Sequence, residues 1–211
     1  MQEILPEIQK SLEFIGSAAA GGVIGNRVDS WFTNLYFHER HRILKWLEYF
    51  RLTENDKNKI YSDEDLKIMF SQIISSVASE IFEEKLLVWP TITESLLRND
   101  TIKFEKKQFF INLFIKLDVH TLKFLSKLYF DGRMKYETIF PNTKTNKPNI
   151  DDENFIYYLG QMQSLSAGMT DAISENHQTY IQISELGKEF IDFISKSSKE
   201  NLEDIAINRK F

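Results

Sequence analysis

Cysteine is absent from the 211 residues, and the chain carries only four prolines and eight glycines. Without thiols there is no disulfide framework, no thiolate nucleophile and no cysteine-based zinc or iron–sulfur centre. The low proline and glycine counts stand beside 17 phenylalanines and 42% hydrophobic residues. A disordered chain would have far fewer aromatics, so the composition describes a folded, mainly helical protein. The chemical signatures are missing too. No serine sits in a Gly-x-Ser-x-Gly elbow, there is no His-Glu-x-x-His, and no glycine loop ends in Lys-Ser or Lys-Thr. These gaps point to a non-enzymatic protein with no catalytic, cofactor-binding or metal-binding residues. The opening MQEILPEIQK lacks a secretory pattern. Together with the missing cysteine, that gives a cytoplasmic expectation.

Charge is uneven along the chain. The net value is −5. Residues 1–99 hold 11 Lys+Arg against 15 Asp+Glu, residues 100–150 hold 10 against 5, and residues 151–211 hold 5 against 11. A basic middle therefore lies between two acidic ends. Two sets of cations form the candidate anion or partner contacts: Arg40, His41, Arg42 and Lys45 in one run, and Lys103, Lys106 and Lys107 in another. The first run sits among Trp31, Tyr36 and Trp46, an arrangement able to meet phosphates. A solvated helix face over an aromatic core is the plainer reading of the same residues. His38 and His41 share a helical face, but neighbouring cations would repel a metal and no third ligand is near in sequence.

Apolar spacing predicts a series of helices. Ile4, Ile8, Leu12 and Ile15 make one stripe over residues 2–15. The segment Gly16–Gly25, GSAAAGGVIG, lies between Glu13 and Arg27, too close together to enclose the roughly 20 apolar residues of a membrane span. Its small side chains suit a close helix crossing or a turn, with a membrane-interface role as the lesser reading. One long helix is expected over residues 28–52, then a polar connection over 53–61. Ser62 is expected to open the next helix as a capping box, with Leu66, Met69, Phe70, Ile73, Ile74, Val77 and Ile81 as its stripe. Glu80, Glu83 and Glu84 read as its solvated face, and Trp89-Pro90 as its end or kink. Phe109, Phe110, Leu113, Phe114 and Leu117 mark the buried side of a helix over 103–117. Asp118 caps another, with Leu122, Leu125, Leu128 and Tyr129 inward and Gly132 closing it. Lys103, Lys106, Lys107, Lys116, Lys123 and Lys127 are expected on the surface of this pair. Residues 133–150, with Pro141 and Pro148, read as a linker.

The C-terminal stretch Thr179–Ile194, TYIQISELGKEFIDFI, changes period within sixteen residues. Thr179, Ile181 and Ile183 alternate as a half-buried strand. Ser184 is placed to cap a helix, and Leu186, Phe190, Phe193 and Ile194 share its inner face. With a helix predicted over residues 154–165, this is the ending of a winged-helix-like module. The order of these features, through LDVHTLKFLSKLYF, LGQMQSLSAGMT and YIQISELGKEF, resembles the bacterial and phage abortive-infection alpha proteins and an allied uncharacterised family. That resemblance implies a helical, cytoplasmic protein of phage–host conflict and names no catalytic residue.

The expectation is a mainly α protein: a helical region over 1–99, a basic helical middle and linker over 100–150, and a winged-helix-like module with a small β-hairpin over 151–211. The leading function is protein interaction, with a protein partner or a homo-oligomer, in defence or counter-defence. A DNA-binding regulator is the first alternative, although the acidic C-terminal region does not favour nucleic acid. A membrane-acting effector using the Gly/Ala segment is the second.

Overall fold

A computed structural model describes residues 10–12, 14–15, 35–135 and 168–195. Among these the chain is mainly helical with a small three-stranded antiparallel sheet. It forms two compact units, Met1–Gln108 and Phe109–Phe211.

The first unit contains α1 (Phe37–Tyr49), α2 (Glu54–Ser62), α3 (Glu64–Ser79) and α4 (Glu83–Arg98). Its core gathers Ile43, Trp46, Leu47 and Phe50 around Met69, Phe70, Ile73, Trp89 and Ile92. The Trp46 ring lies 5.5 Å from Phe50 and 6.2 Å from Phe70 between centroids. Phe14 meets Phe70 edge-on at 6.1 Å. Leu12 and Ile15 are helical and buried, as their spacing predicts, whereas Ile4, Ile8 and Gly16–Gly25 lie outside the described residues.

Several boundaries differ from the sequence reading, each for a local reason. The expected long helix over 28–52 does not run unbroken, because Tyr36 is extended and α1 starts after it. The Tyr36 N–H donates to the Glu39 carboxylate at 2.7 Å, which caps that start. Residues 53–61 are not a polar connection but mostly helix α2. Thr53 Oγ1 accepts the Asp56 N–H at 3.2 Å, and Asp56 accepts the Thr53 N–H at 2.9 Å. Ser62 does not cap α3; it ends α2, and Asp63 is the cap, accepting the Leu66 N–H at 3.0 Å. The stripe ends at Val77, since α3 stops at Ser79 and Ile81 is 71% exposed. Glu80 is not solvated: it pairs with buried Lys85 at 3.4 Å. Pro90 does not end a helix either. It lies buried within α4, where it offers no N–H to the Leu86 carbonyl, and the helix continues around it.

Helix α5 (Phe104–Lys116) spans the point where the two units divide. The second unit continues with α6 (Val119–Asp131), β1 (Arg133–Lys135), β2 (Thr170–Glu175), β3 (Gln178–Ile183) and α7 (Glu185–Ser195). Asp118 accepts the Thr121 N–H at 2.8 Å, and Gly132 closes α6 at φ +77°, both as expected. Phe110, Leu113, Phe114 and Leu117 are buried, whereas Phe109 is not; Ile111 is buried on α5 as well. The Tyr129 side chain is not fully inward, since its hydroxyl donates to Asp192 at 2.7 Å. Residues 133–135, read from sequence as the start of a linker, form β1 instead.

The sheet order is β1-β3-β2 with both pairings antiparallel. Ile181 and Ile183 are buried, as the alternation predicts. The β2–β3 hairpin turns through Asn176 (φ +49°) and His177 (φ +61°). Ser184 caps α7, accepting the Gly187 N–H at 3.1 Å while its own hydroxyl donates to the Gly168 carbonyl. Phe190, Phe193 and Ile194 face inward, as does Ile191. The Phe110 ring meets Phe190 at 5.6 Å and Phe193 at 5.4 Å. Gly187 is required by close approach: a Cβ there would stand 2.3 Å from the Met169 carbonyl oxygen and 2.6 Å from Ile183 Cγ1. The helix predicted over 154–165 lies outside the described residues.

Candidate functional site

The candidate cations of the first run sit on α1, and most of them hold structure. Arg40 donates through Nε to the Leu35 carbonyl at 2.9 Å. Arg42 reaches across to the Ala78 carbonyl near the end of α3 at 3.0 Å. There it meets the partial negative charge of a helix C-terminus. Lys45 pairs with Glu83 in the first turn of α4 at 3.1 Å. Arg42 and Lys45 thus fix the corner between α3 and α4 from both sides. His41 is exposed, and the exposed His38 ring stacks on Tyr36 with centroids 5.7 Å apart. Among the described residues no group of three or more His, Asp or Glu side chains is placed to hold a metal ion.

The second run lies at the opposite end of α4. Lys103 is exposed and Lys106 half-buried, but Lys107, expected on the surface, is only 6% exposed. Its Nζ donates to the Leu96 carbonyl at 2.8 Å. Lys59 of α2 donates to the neighbouring Leu97 carbonyl at 3.1 Å and lies 3.7 Å from Asp100. Two lysines from other segments therefore satisfy carbonyls in the last turn of α4, which no intrahelical N–H can reach. Along α4, Glu83 and Leu96 are roughly 20 Å apart at 1.5 Å per residue. Lys45 and Lys107 are thus anchored at different ends of one helix.

Around Lys107 the first unit has a groove of about 340 Å³, lined by polar residues Lys59, Ser62, Asp63 and Asp100 and by apolar Leu66, Leu96, Leu97, Ile102 and Phe104. Burial pushes the Lys107 ammonium below the usual lysine range; Asp100 pulls it back up, and Lys59 pushes it down again. Sequence reasoning missed this groove, because its walls come from four segments and no motif joins them.

A second polar cluster is structural. Asp56, with a side chain 2% exposed, accepts Arg98 Nη2 at 2.7 Å and Nε at 3.3 Å, together with the Thr53 hydroxyl at 2.7 Å. Arg98 also donates to the Arg51 carbonyl at 2.9 Å and to Glu94 at 2.8 Å. Burial alone would raise the Asp56 carboxyl, but the hydrogen bonds from Arg98 and Thr53 and the Arg98 charge hold it below the ordinary value. This clamp ties the start of α2 to the end of α4.

No family model, curated protein or solved structure matches the chain. Among the described residues no helix is long and apolar enough to cross a membrane.

Proposed function

We propose that this protein is a non-enzymatic interaction component that binds a protein partner or a second copy of itself in phage–host conflict. The resemblance to abortive-infection alpha proteins supplies the biological setting. The observation that carries the binding role is the pair of adjacent aromatics at the start of α1: Tyr36 is 72% exposed and Phe37 is 87% exposed. Aromatic side chains are enriched at the centres of protein interfaces, and covering one such ring contributes about 1.5–3 kcal/mol. The adjoining Arg42 and Lys45 are committed to the α3–α4 corner, so the reading rests on the exposed rings and not on these cations.

The test is mass by light scattering over a concentration series, for the native chain and a Tyr36→Ser/Phe37→Ser variant. Self-association should raise the native mass above 24.9 kDa and be lost in the variant. If the native chain is monomeric, a photo-crosslinking residue at position 37 should give one discrete adduct in cells challenged with phage. A monomer with no adduct would end this reading.

The DNA-regulator alternative draws on one feature. Among the described residues, helix α6, strand β1, a hairpin whose second strand takes the sheet centre, and closing helix α7 support that reading. Charge speaks against duplex binding. Arg133 pairs with Glu175 at 2.7 Å and Lys188 with Glu185 at 2.5 Å, leaving few cations on this sheet and helix to release counterions from phosphates. A titration with random duplex at two salt concentrations separates the readings. Tight, salt-sensitive binding that survives Lys106→Glu but is lost with Lys188→Glu would favour the regulator.

A further inference from the structure

Resting on the interaction reading, we infer that the first unit forms a two-fold dimer with a second copy of this chain. The contact is the end of the unit where α1 begins and α3 gives way to α4. Arg42 on α1 donates to the Ala78 carbonyl and Lys45 pairs with Glu83, while Trp46, further along, meets Phe70 of α3. Helix α1 therefore starts at the α3–α4 corner and runs back along α3. Phe37 stands roughly 7.5 Å of helix rise before Arg42. Tyr36 and Phe37 thus share one end of the unit with Ile81 and Phe82 of the corner. Among the described residues the first unit exposes seven large apolar side chains, and four of them are gathered at this end.

The corner holds its apolar residues outward. The Glu80 carboxylate accepts the Phe82 N–H at 3.2 Å and pairs with Lys85 at 3.4 Å, and the Arg42 and Lys45 contacts pin the two flanking helices. Ile81 and Phe82 are thereby fixed before a partner arrives, which lowers the ordering cost of binding.

Area and charge select the occupant. Phe82 is 44% exposed, beside the larger fractions of Tyr36 and Phe37. At about 200 Å² per ring, the three leave roughly 400 Å² of aromatic surface in water, and Ile81 adds to it. One side of a standard interface covers about 800 Å², about two-thirds of it apolar in homodimers. This end therefore supplies most of the apolar area that one copy needs. Arg40, Arg42 and Lys45 stand beside Glu39, Glu83 and Glu84, all exposed or half-buried, three of each sign. An anionic lipid surface or a nucleic acid would find no excess of cations there, and a second copy would find no like charge to repel it. A two-fold axis lets the acids of α4 in one copy meet the cations of α1 in the other, and the reverse. The surface is complementary to itself.

The experiment is sedimentation equilibrium of the full-length chain over a dilution series. The native chain should reach twice 24.9 kDa, with a dissociation constant of about 10 μM or tighter. Ile81→Ser/Phe82→Ser should weaken the dimer at least about tenfold, whereas Ile68→Ser, exposed on α3, should leave it unchanged. Should the double variant lose its native tryptophan transition, Ile81→Lys alone takes its place with the same expectation. A dimer lost in Tyr36→Ser/Phe37→Ser but kept in Ile81→Ser/Phe82→Ser would overturn this inference and leave the interaction role of the α1 rings standing. A native monomer that still gives a discrete adduct from position 37 in phage-challenged cells would do the same. A larger closed oligomer would also overturn the two-fold dimer. A dimer unaltered by either pair of substitutions, or a monomer with no adduct, would end both readings.

Discussion

In the first unit Asp56, Lys85 and Lys107 are charged side chains held inside, each answered by a partner from another turn or segment: Arg98, Glu80 and the Leu96 carbonyl. In the second unit the buried polar side chains among the described residues are hydroxyls, Thr121, Ser126, Ser184 and Ser195. Its core packs Phe110 against Phe190 and Phe193 with no buried charge among the described residues. One unit closes its helix ends with charges that must be desolvated and paired. The other closes them with the hydrogen bonds of the Asp118 and Ser184 caps and with Gly132. Buried ion pairs add little net stability but are costly to break from one side, whereas aromatic cores lose stability in proportion to volume removed. The two units should therefore respond to different perturbations. All three tryptophans fall within residues 1–108, so tryptophan fluorescence reads the first unit and amide exchange on α6 and α7 reads the second.

The largest effect is expected from Phe190→Ala, which removes a fully buried ring and should destabilise the second unit by about 3–5 kcal/mol. Exchange protection in α6 and α7 should fall while the tryptophan transition stays in place. An equal shift of both signals would show that the units unfold as one, and the comparison would fail.

Asp56→Ala should come next, at about 2–3 kcal/mol on the tryptophan signal, below the range for a fully buried pair because Arg98 is partly open to solvent. The same clamp gives a pH signature. The folded Asp56 carboxyl titrates below its ordinary 3.8, so its contribution is present above that pH. It is lost as pH falls from there through the folded value. Tyr129 behaves in the opposite sense. The hydrogen bond to Asp192, then burial and the Asp192 charge, raise its hydroxyl above the ordinary 10.0. Its contribution is present below pH 10.0 and lost as pH rises through the folded value. Acid should thus loosen the tryptophan signal before α6 and α7, and Asp56→Asn should remove that difference.

Gly187→Ala is expected to cost the second unit about 1–3 kcal/mol, since the added methyl meets the Met169 backbone oxygen first and the inner carbon of the Ile183 side chain next. Exchange in β3 and α7 would record it. A neutral result would mean the approach of α7 to Met169 is looser than 2.3 Å implies.

The elements legible from sequence were those whose signal is local. Asp118, Gly132 and Ser184 announce helix ends through their own side chains or backbone freedom, and the Ile181–Ile183 alternation announces β3. Helix α2 was passed over because Ile60 is its one buried apolar residue. The Thr53-x-x-Asp56 box was the readable sign. The break between α3 and α4 was hidden because Ile81 continues the stripe in sequence while the chain at Glu80 has already turned extended. Strand β1 is three residues long, too short for alternation to register. The Lys107 groove was out of reach altogether: Lys59, Asp63, Leu96 and Lys107 meet only through tertiary packing. A buried lysine on a helix of lysines looks like any surface charge.

The smallest effect should be a gain. The β2–β3 hairpin uses two central residues, Asn176 and His177, both at positive φ, the form of turn whose twist matches the flanking strands. Asparagine accepts this conformation through its short polar side chain, but histidine with its full Cβ accepts it less well. His177 is exposed, so its ring contributes no buried contact to set against the strain. Replacing it with glycine removes a backbone cost of roughly 1–2 kcal/mol and adds roughly 0.5–1 kcal/mol of unfolded-state freedom. The net expectation for His177→Gly is a stabilisation of the second unit by about 0.5–1 kcal/mol, read as slower exchange in β2 and β3 with the tryptophan transition unmoved. Asn176→Gly should give less, because the strain relieved there is smaller. Loss of protection in His177→Gly would mean that the imidazole holds the turn through a contact worth more than the strain.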